Sequence, residues 1–277
     1  MTSPGLYVTH LVAPKHGSTE AECEDAVHVL PRHHPFDELI DGPMAASLCD
    51  GATESVLSKD WARLLAEAST QWALERTEFF GRGTDFEEFA AAAVGQWEPW
   101  LKNYTRARDE EGRPLKWYEQ TKLTAGAHAT MLVARLVPDP VRPSAGWRWQ
   151  AAALGDSCLF HIRDDKPLRS FPVERPEDFD TVPDLFGSRN HDTGLLAART
   201  QFAEGRCEPG DRLLLMTDAL AAWFLSASDP VRAFHQLLEF GGPHDAAAFA
   251  GWLGGLRESH VLRNDDVAVI RIDIEGR

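Results

Sequence analysis

The sequence predicts an α+β fold, an α-β-β-α sandwich of two mainly antiparallel sheets with helix pairs on the outside. Three observations point there. Strand-like runs come in groups rather than singly, two strong amphipathic helices separate the first group from the second, and two further helical segments precede a last strand. That order has neither the strand–helix alternation of a parallel sheet nor an all-helical pattern, and stacked sheets with helices on their outer faces accommodate it. The 277 residues, 43% hydrophobic and 26% charged, are ordinary globular composition and enough for one well-filled core, so a single domain over 1–277 is expected.

The elements follow in order. Leu6 to Val12, Ala26 to Leu30 and Met44 to Cys49 read as strands. Trp61, Leu64, Leu65, Ala68 and Trp72 then recur at helical spacing behind Ser58 as N-cap. A second helix opens on Thr84 and Glu87 as a capping box and puts Phe86, Phe89, Ala93, Trp97 and Leu101 on one face. Pro99 is expected to kink it near its end. Strands return at Ala129 to Val137, Trp147 to Leu154 and Cys158 to Arg163, the second alternating as a half-buried strand does. Residues from about 164 to 205 are rich in Pro, Asp and Arg with weak periodicity, the pattern of a surface excursion. Leu213 to Met216 is apolar enough for a buried strand. Asp229 and Pro230 start a helix, Phe249, Trp252, Leu253 and Leu256 mark another, and Ile270, Ile272 and Ile274 alternate with Arg271 and Asp273 in a closing strand.

Bulk properties exclude several functions. A formal net charge of −15 without any basic run argues against binding nucleic acid or an anionic membrane. The four cysteines, Cys23, Cys49, Cys158 and Cys207, are scattered without zinc spacing and read as thiols in a reducing compartment. No signal-peptide pattern opens the chain and no apolar run approaches a membrane span, so the cytoplasm is the expected location.

The acids carry the chemical information. Asp25 precedes one strand and Asp50 follows the next; if the two are antiparallel neighbours, both acids share an edge. Asp218, after Leu213 to Met216, and Asp265, before the final strand, pair by the same logic, and Asp156 sits in the turn between Trp147–Leu154 and Cys158–Arg163. Five carboxylates at one rim repel one another unless a cation intervenes. Oxygen ligands without thiolate, with a backbone carbonyl such as that of Gly51, suit Mg²⁺ or Mn²⁺. Two such ions can hold a bridging hydroxide for in-line attack on phosphorus. Taken singly, Asp50–Gly51 and Asp156 are also ordinary turn residues and Asp265–Asp266 an ordinary solvated strand start. Asp218, between an apolar strand and the apolar run Ala219 to Leu225, is a buried acid that needs a partner. Spacing alone leaves both readings open.

Five short motifs, CEDAVHV at 23–29, SLCDGAT at 47–53, ALGDSCLF at 153–160, GDRLLLMTDAL at 210–220 and NDDVAVI at 264–270, together resemble the type 2C metal-dependent protein phosphatases, in that family's order and over nearly the whole chain. GAHATMLVARL at 126–136 is similar to the family's strand after the first helix pair. The resemblance implies that Asp25, Asp50, Asp218 and Asp265 form the catalytic core. Asp25, Asp50 and the Gly51 carbonyl would hold a metal pair, and Asp218 and Asp265 would complete it. Glu24 would act through a metal-bound water, and Asp156 with Asp218 would hold a third, looser ion. It further implies hydrolysis of phosphoserine or phosphothreonine by metal-activated water, Mn²⁺ or Mg²⁺ as cofactor, and a phosphorylated protein made by a Ser/Thr kinase as partner; a monomer is expected. Glu20 stands where the family usually has a phosphate-clamping arginine, with Lys15, Arg32 or a residue of the excursion as substitutes. Ala52 replaces a histidine found in some members, Thr53 the second glycine of Asp-Gly-x-Gly, and Ala219 the glycine after Ser-Asp. None of these is a metal ligand. His33, His34 and His128 are the histidines that the sequence puts near the rim, without a role. Two other readings stay open: a phosphoprotein-binding pseudophosphatase, and a phosphatase of a small phosphorylated molecule.

Overall fold

The computed structural model describes residues 5–32, 39–53, 55–81, 84–116, 119, 123–141, 146–179 and 183–275, so His33 and His34 lie outside the described residues. In chain order the strands are β1 (Leu6–Ala13), β2 (Ala26–Leu30), β3 (Met44–Cys49), β4 (His128–Ala129), β5 (Met131–Pro138), β6 (Trp147–Leu154), β7 (Cys158–Arg163), β8 (Lys166–Phe171), β9 (Phe186–Gly187), β10 (Gln201–Cys207), β11 (Arg212–Met216) and β12 (Val267–Ile274). The helices are α1 (Ser58–Glu75), α2 (Thr84–Glu110), α3 (Thr193–Arg199), α4 (Asp218–Leu225), α5 (Pro230–Leu238) and α6 (Ala246–Glu258).

The strands form two five-stranded antiparallel sheets, one in the order β1-β12-β11-β7-β8 and the other β10-β6-β5-β3-β2, with β4 and β9 as a separate short pair. The period-2 pattern explains the layering. Met44, Ala46 and Leu48 of β3 point between the sheets with Leu132, Trp149, Leu215, Ile270 and Ile272, while Ala45 and Cys49 face the opposite way onto α1 and α2. β3 is therefore buried on both faces. On the far side Leu214, Met216, Val267 and Val269 pack under α4, α5 and α6. Three apolar layers alternate with two sheets, the predicted α+β sandwich. Among the described residues no helix is long and apolar enough to cross a membrane.

Some local expectations differ. Leu57, not Ser58, is the N-cap of α1, because the Ser58 hydroxyl is spent on the Glu24 carboxylate. α2 continues through Pro99 to Glu110. The expected excursion supplies α3 and an edge strand to each sheet, β8 and β10. Edge strands with one solvated face lose apolar alternation: β8 opens with four exposed residues.

Candidate metal centre

Strand register gathers the acids. Ala26 lies opposite Cys49 in the β2–β3 ladder, so Asp25 and Asp50 leave that sheet at the same end. In the other sheet Met216 faces Val269 and the Thr217 N–H donates to the Ala268 carbonyl at 3.1 Å, which puts Asp218 and Asp265 at one end too. Asp156 follows Gly155, whose φ of +106° and lack of a Cβ let the turn close against the Thr130 methyl, 2.7 Å from where a Cβ would sit. Thr130 ties the two halves together: its Oγ1 accepts the Asp50 N–H at 3.2 Å and lies 3.0 Å from the Ser157 hydroxyl.

Asp50, Gly51, Asp156, Asp218 and Asp265 line one cleft of about 790 Å³. Asp25 lies buried beside it, 7% exposed, with neither carboxylate oxygen in a formed hydrogen bond, although the nearby Thr217 side chain acts to lower its pKa. Gly51 bridges to Ala129, but the two bonds of that bridge are made by Ala52 N–H to His128 O and Thr130 N–H to Asp50 O, so the Gly51 carbonyl stays outside the ladder. A side chain does not fit there, since a Cβ would stand 2.9 Å from the Glu24 carbonyl oxygen. Glu24 itself is tied back, its carboxylate accepting from Ser58 and, at 3.4 Å, from Lys15 Nζ.

The electrostatics are those of like charges crowded out of water. Burial, then Asp266 and Asp218, push Asp25 well above the usual carboxylate range. Burial, then Asp25 and Asp218, do the same to Asp50, while burial and Asp218 raise Asp265. Mutually repelling carboxylates, with that of Asp25 buried and without a formed donor, beside a backbone carbonyl outside the ladder and without thiolate or imidazole in the set, fit hard divalent cations.

Two residues of the site were given no role by the sequence. Asp266 is buried and accepts the backbone N–H of Lys15 at 2.7 Å and of Glu24 at 2.8 Å, fixing the loop between β1 and β2. Arg263 pairs with Asp218 and, at 3.5 Å, with Asp265. His128 does line the cleft. Of the suggested arginine substitutes, Lys15 reaches Glu24 and, at 3.3 Å, Thr53, while Arg32 lies beyond the opposite end of β2. Glu20 is exposed in a short turn of 3₁₀ helix.

A second group, His161, Cys207 and Asp211, has ligand atoms within 4.8 Å of one another at the other end of β11. Burial would raise Asp211, but Arg163, His161 and the Glu208 N–H overcome it and hold the carboxyl below the usual range. With Arg163 on both oxygens at 2.8 and 2.7 Å, this group already has its cation and serves as a brace between β7 and β11.

No protein-family model and no curated protein sequence matches the chain. Solved structures do. The photosystem II phosphatase PBCP is 14% identical with a TM-score of 0.56, the match covering 99% of this chain and 100% of that one. A bacterial serine phosphatase is 12% identical at TM-score 0.54 over 98% and 99% of the two chains. The structure of the PP2C phosphatase domain and a fragment of the regulatory domain of SpoIIE from Bacillus subtilis is 13% identical at TM-score 0.53, over 100% of this chain and 66% of that one. The chain therefore has the fold of the type 2C phosphatases.

Proposed function

We propose that the protein is a metal-dependent phosphatase that removes phosphate from phosphoserine or phosphothreonine in a protein phosphorylated by a Ser/Thr kinase. The observation that carries this reading is the convergence of Asp50, Asp156, Asp218 and Asp265 on one cleft with Asp25 buried beside them. Asp25, Asp50 and the Gly51 carbonyl would hold a pair of Mn²⁺ or Mg²⁺ ions, Asp218 and Asp265 would complete it, and Asp156 with Asp218 would hold a third ion. Bound there, such ions would supply a water acidic enough to ionise near neutral pH and positive charge for the departing oxygen.

The chain's own groups position what surrounds that chemistry. Thr130 holds the Asp50 backbone, Asp266 holds the Glu24 backbone, and Ser58 with Lys15 fixes the Glu24 carboxylate. Similarity to a serine phosphatase supports a phosphorylated hydroxyl side chain as substrate. The exposed Glu20, in place of a phosphate-clamping arginine, favours a second reading in which the cleft binds phosphoprotein and turns it over slowly.

Phosphate release from a phosphothreonine peptide and from p-nitrophenyl phosphate, each with Mn²⁺, tests the substrate class. Higher kcat/KM on the peptide is expected. Tight peptide binding with negligible release would select the binding reading, and a strong preference for a small phosphate ester would remove protein as the substrate.

A further inference from the structure

Arg263 stands between α6 and β12, two residues before Asp265, and its guanidinium pairs with the carboxylates of Asp218 and Asp265. Both of those acids belong to the proposed metal set. The side chain is nonetheless 55% exposed, and among the described residues lining the cleft Arg263 is the one lysine or arginine. The nearby cations are committed elsewhere. Lys15 Nζ bonds Glu24 and Thr53, and Arg257 donates to the Pro14 and Asp265 carbonyls at 3.2 and 2.6 Å.

We propose that Arg263 is the residue that binds the substrate's phosphoryl group, and that in the metal-free protein Asp218 and Asp265 hold it in reserve. This rests on the phosphatase reading. A guanidinium and divalent ions compete for the same two carboxylates, and once those are coordinated the exposed arginine loses its partners and is repelled by the bound charge. A phosphoryl group in the cleft then presents oxygens that match the planar fork bidentately, which an ammonium cannot reproduce. Arg263 thus supplies from the approach to β12 the positive charge that Glu20, between β1 and β2, does not supply.

The test uses the full chain with Arg263→Ala and Arg263→Lys, in three measurements: calorimetric titration with Mn²⁺, titration of the Mn²⁺-saturated protein with inorganic phosphate, and KM for a phosphothreonine peptide at saturating Mn²⁺. Arg263→Ala should bind Mn²⁺ more tightly, because the competing cation is gone. It should bind phosphate about tenfold more weakly and show a KM raised by a similar factor, the loss of a charge-assisted pair. Arg263→Lys keeps the charge without the fork and should fall between. Phosphate affinity and KM within about twofold of wild type in Arg263→Ala would overturn the phosphoryl role, and unchanged Mn²⁺ affinity would overturn the reserve arrangement. Should Arg263→Ala fail to fold, a wild-type KM in Arg263→Lys would overturn the bidentate contact. A wild type that releases no phosphate from any peptide would instead remove the phosphatase reading, while the phosphate titration would still decide the role of Arg263.

Discussion

The Asp266 carboxylate accepts the backbone N–H of Glu24 at 2.8 Å, fastening the approach to the last strand to the residue just before Asp25. Its other oxygen takes the Lys15 N–H at 2.7 Å. Two partly buried donors would lose their acceptor in Asp266→Ala, at about 1 kcal/mol each or somewhat more. Removing the charge that most strongly repels Asp25 acts in the opposite direction. The lost bonds are the larger effect, so Asp266→Ala should unfold at a lower temperature than wild type in EDTA, by several degrees at about 2–4 °C per kcal/mol. Asp266→Asn keeps one of the two acceptor oxygens and sheds the charge, and should fall between Asp266→Ala and wild type. Equal losses in both variants would show that the charge, not the hydrogen bonds, holds the loop.

Thermal unfolding separates a metal cluster from a set of turn acids. Asp50→Asn removes one of the mutually repelling charges at nearly constant volume, so the metal-free variant should melt about 2–4 °C above wild type, a gain near 1 kcal/mol. Added Mn²⁺ should raise the wild-type melting temperature and raise that of Asp50→Asn much less, since a ligand stabilises the fold it binds in proportion to its affinity. If Asp50 were only a turn residue, Asn would be neutral or mildly destabilising and Mn²⁺ would move neither curve.

The metal-free protein should also lose stability as pH rises. Asp25, Asp50 and Asp265 all titrate above their ordinary range when folded. From about pH 4, where unfolded carboxylates ionise, up to those raised values, the folded state binds more protons than the unfolded one, so stability falls with pH through that window. Asp211 has the opposite shift, and its contribution is lost only as pH drops below about 4. Melting temperature in EDTA should therefore decline between about pH 5 and 7, and saturating Mn²⁺, which requires the deprotonated ligands, should abolish the decline. A melting temperature that climbs over this interval without metal would contradict the crowded-acid picture.

The sequence made β2, β3, β11 and β12 legible because their apolar patterns are continuous or alternating, and the acids beside them follow from antiparallel pairing. β8 and β10 were not legible, since Lys166, Arg169, Glu204 and Arg206 face solvent on edge strands and erase the alternation. α4 hid in an apolar run with too few polar residues to show a helical period. The roles of Arg263 and Asp266 were not legible because what they do depends on Asp218 and Glu24, 45 and 242 residues away. Only the folded chain brings those partners together.

If the acids at the ends of β2, β3, β11 and β12 make one metal-dependent hydrolytic site, phosphate release from a phosphothreonine peptide should depend on both the metal and those acids. Wild type, Asp50→Asn, Asp218→Asn and Asp164→Asn would each be assayed in EDTA and in Mn²⁺. Asp164 lies outside the cleft, in the turn between β7 and β8. Release is expected from wild type and Asp164→Asn in Mn²⁺, none in EDTA, and a loss of at least about a hundredfold in the other two variants, the scale on which an essential electrostatic group acts. Undiminished release in EDTA, or equal effects of all three substitutions, would contradict it.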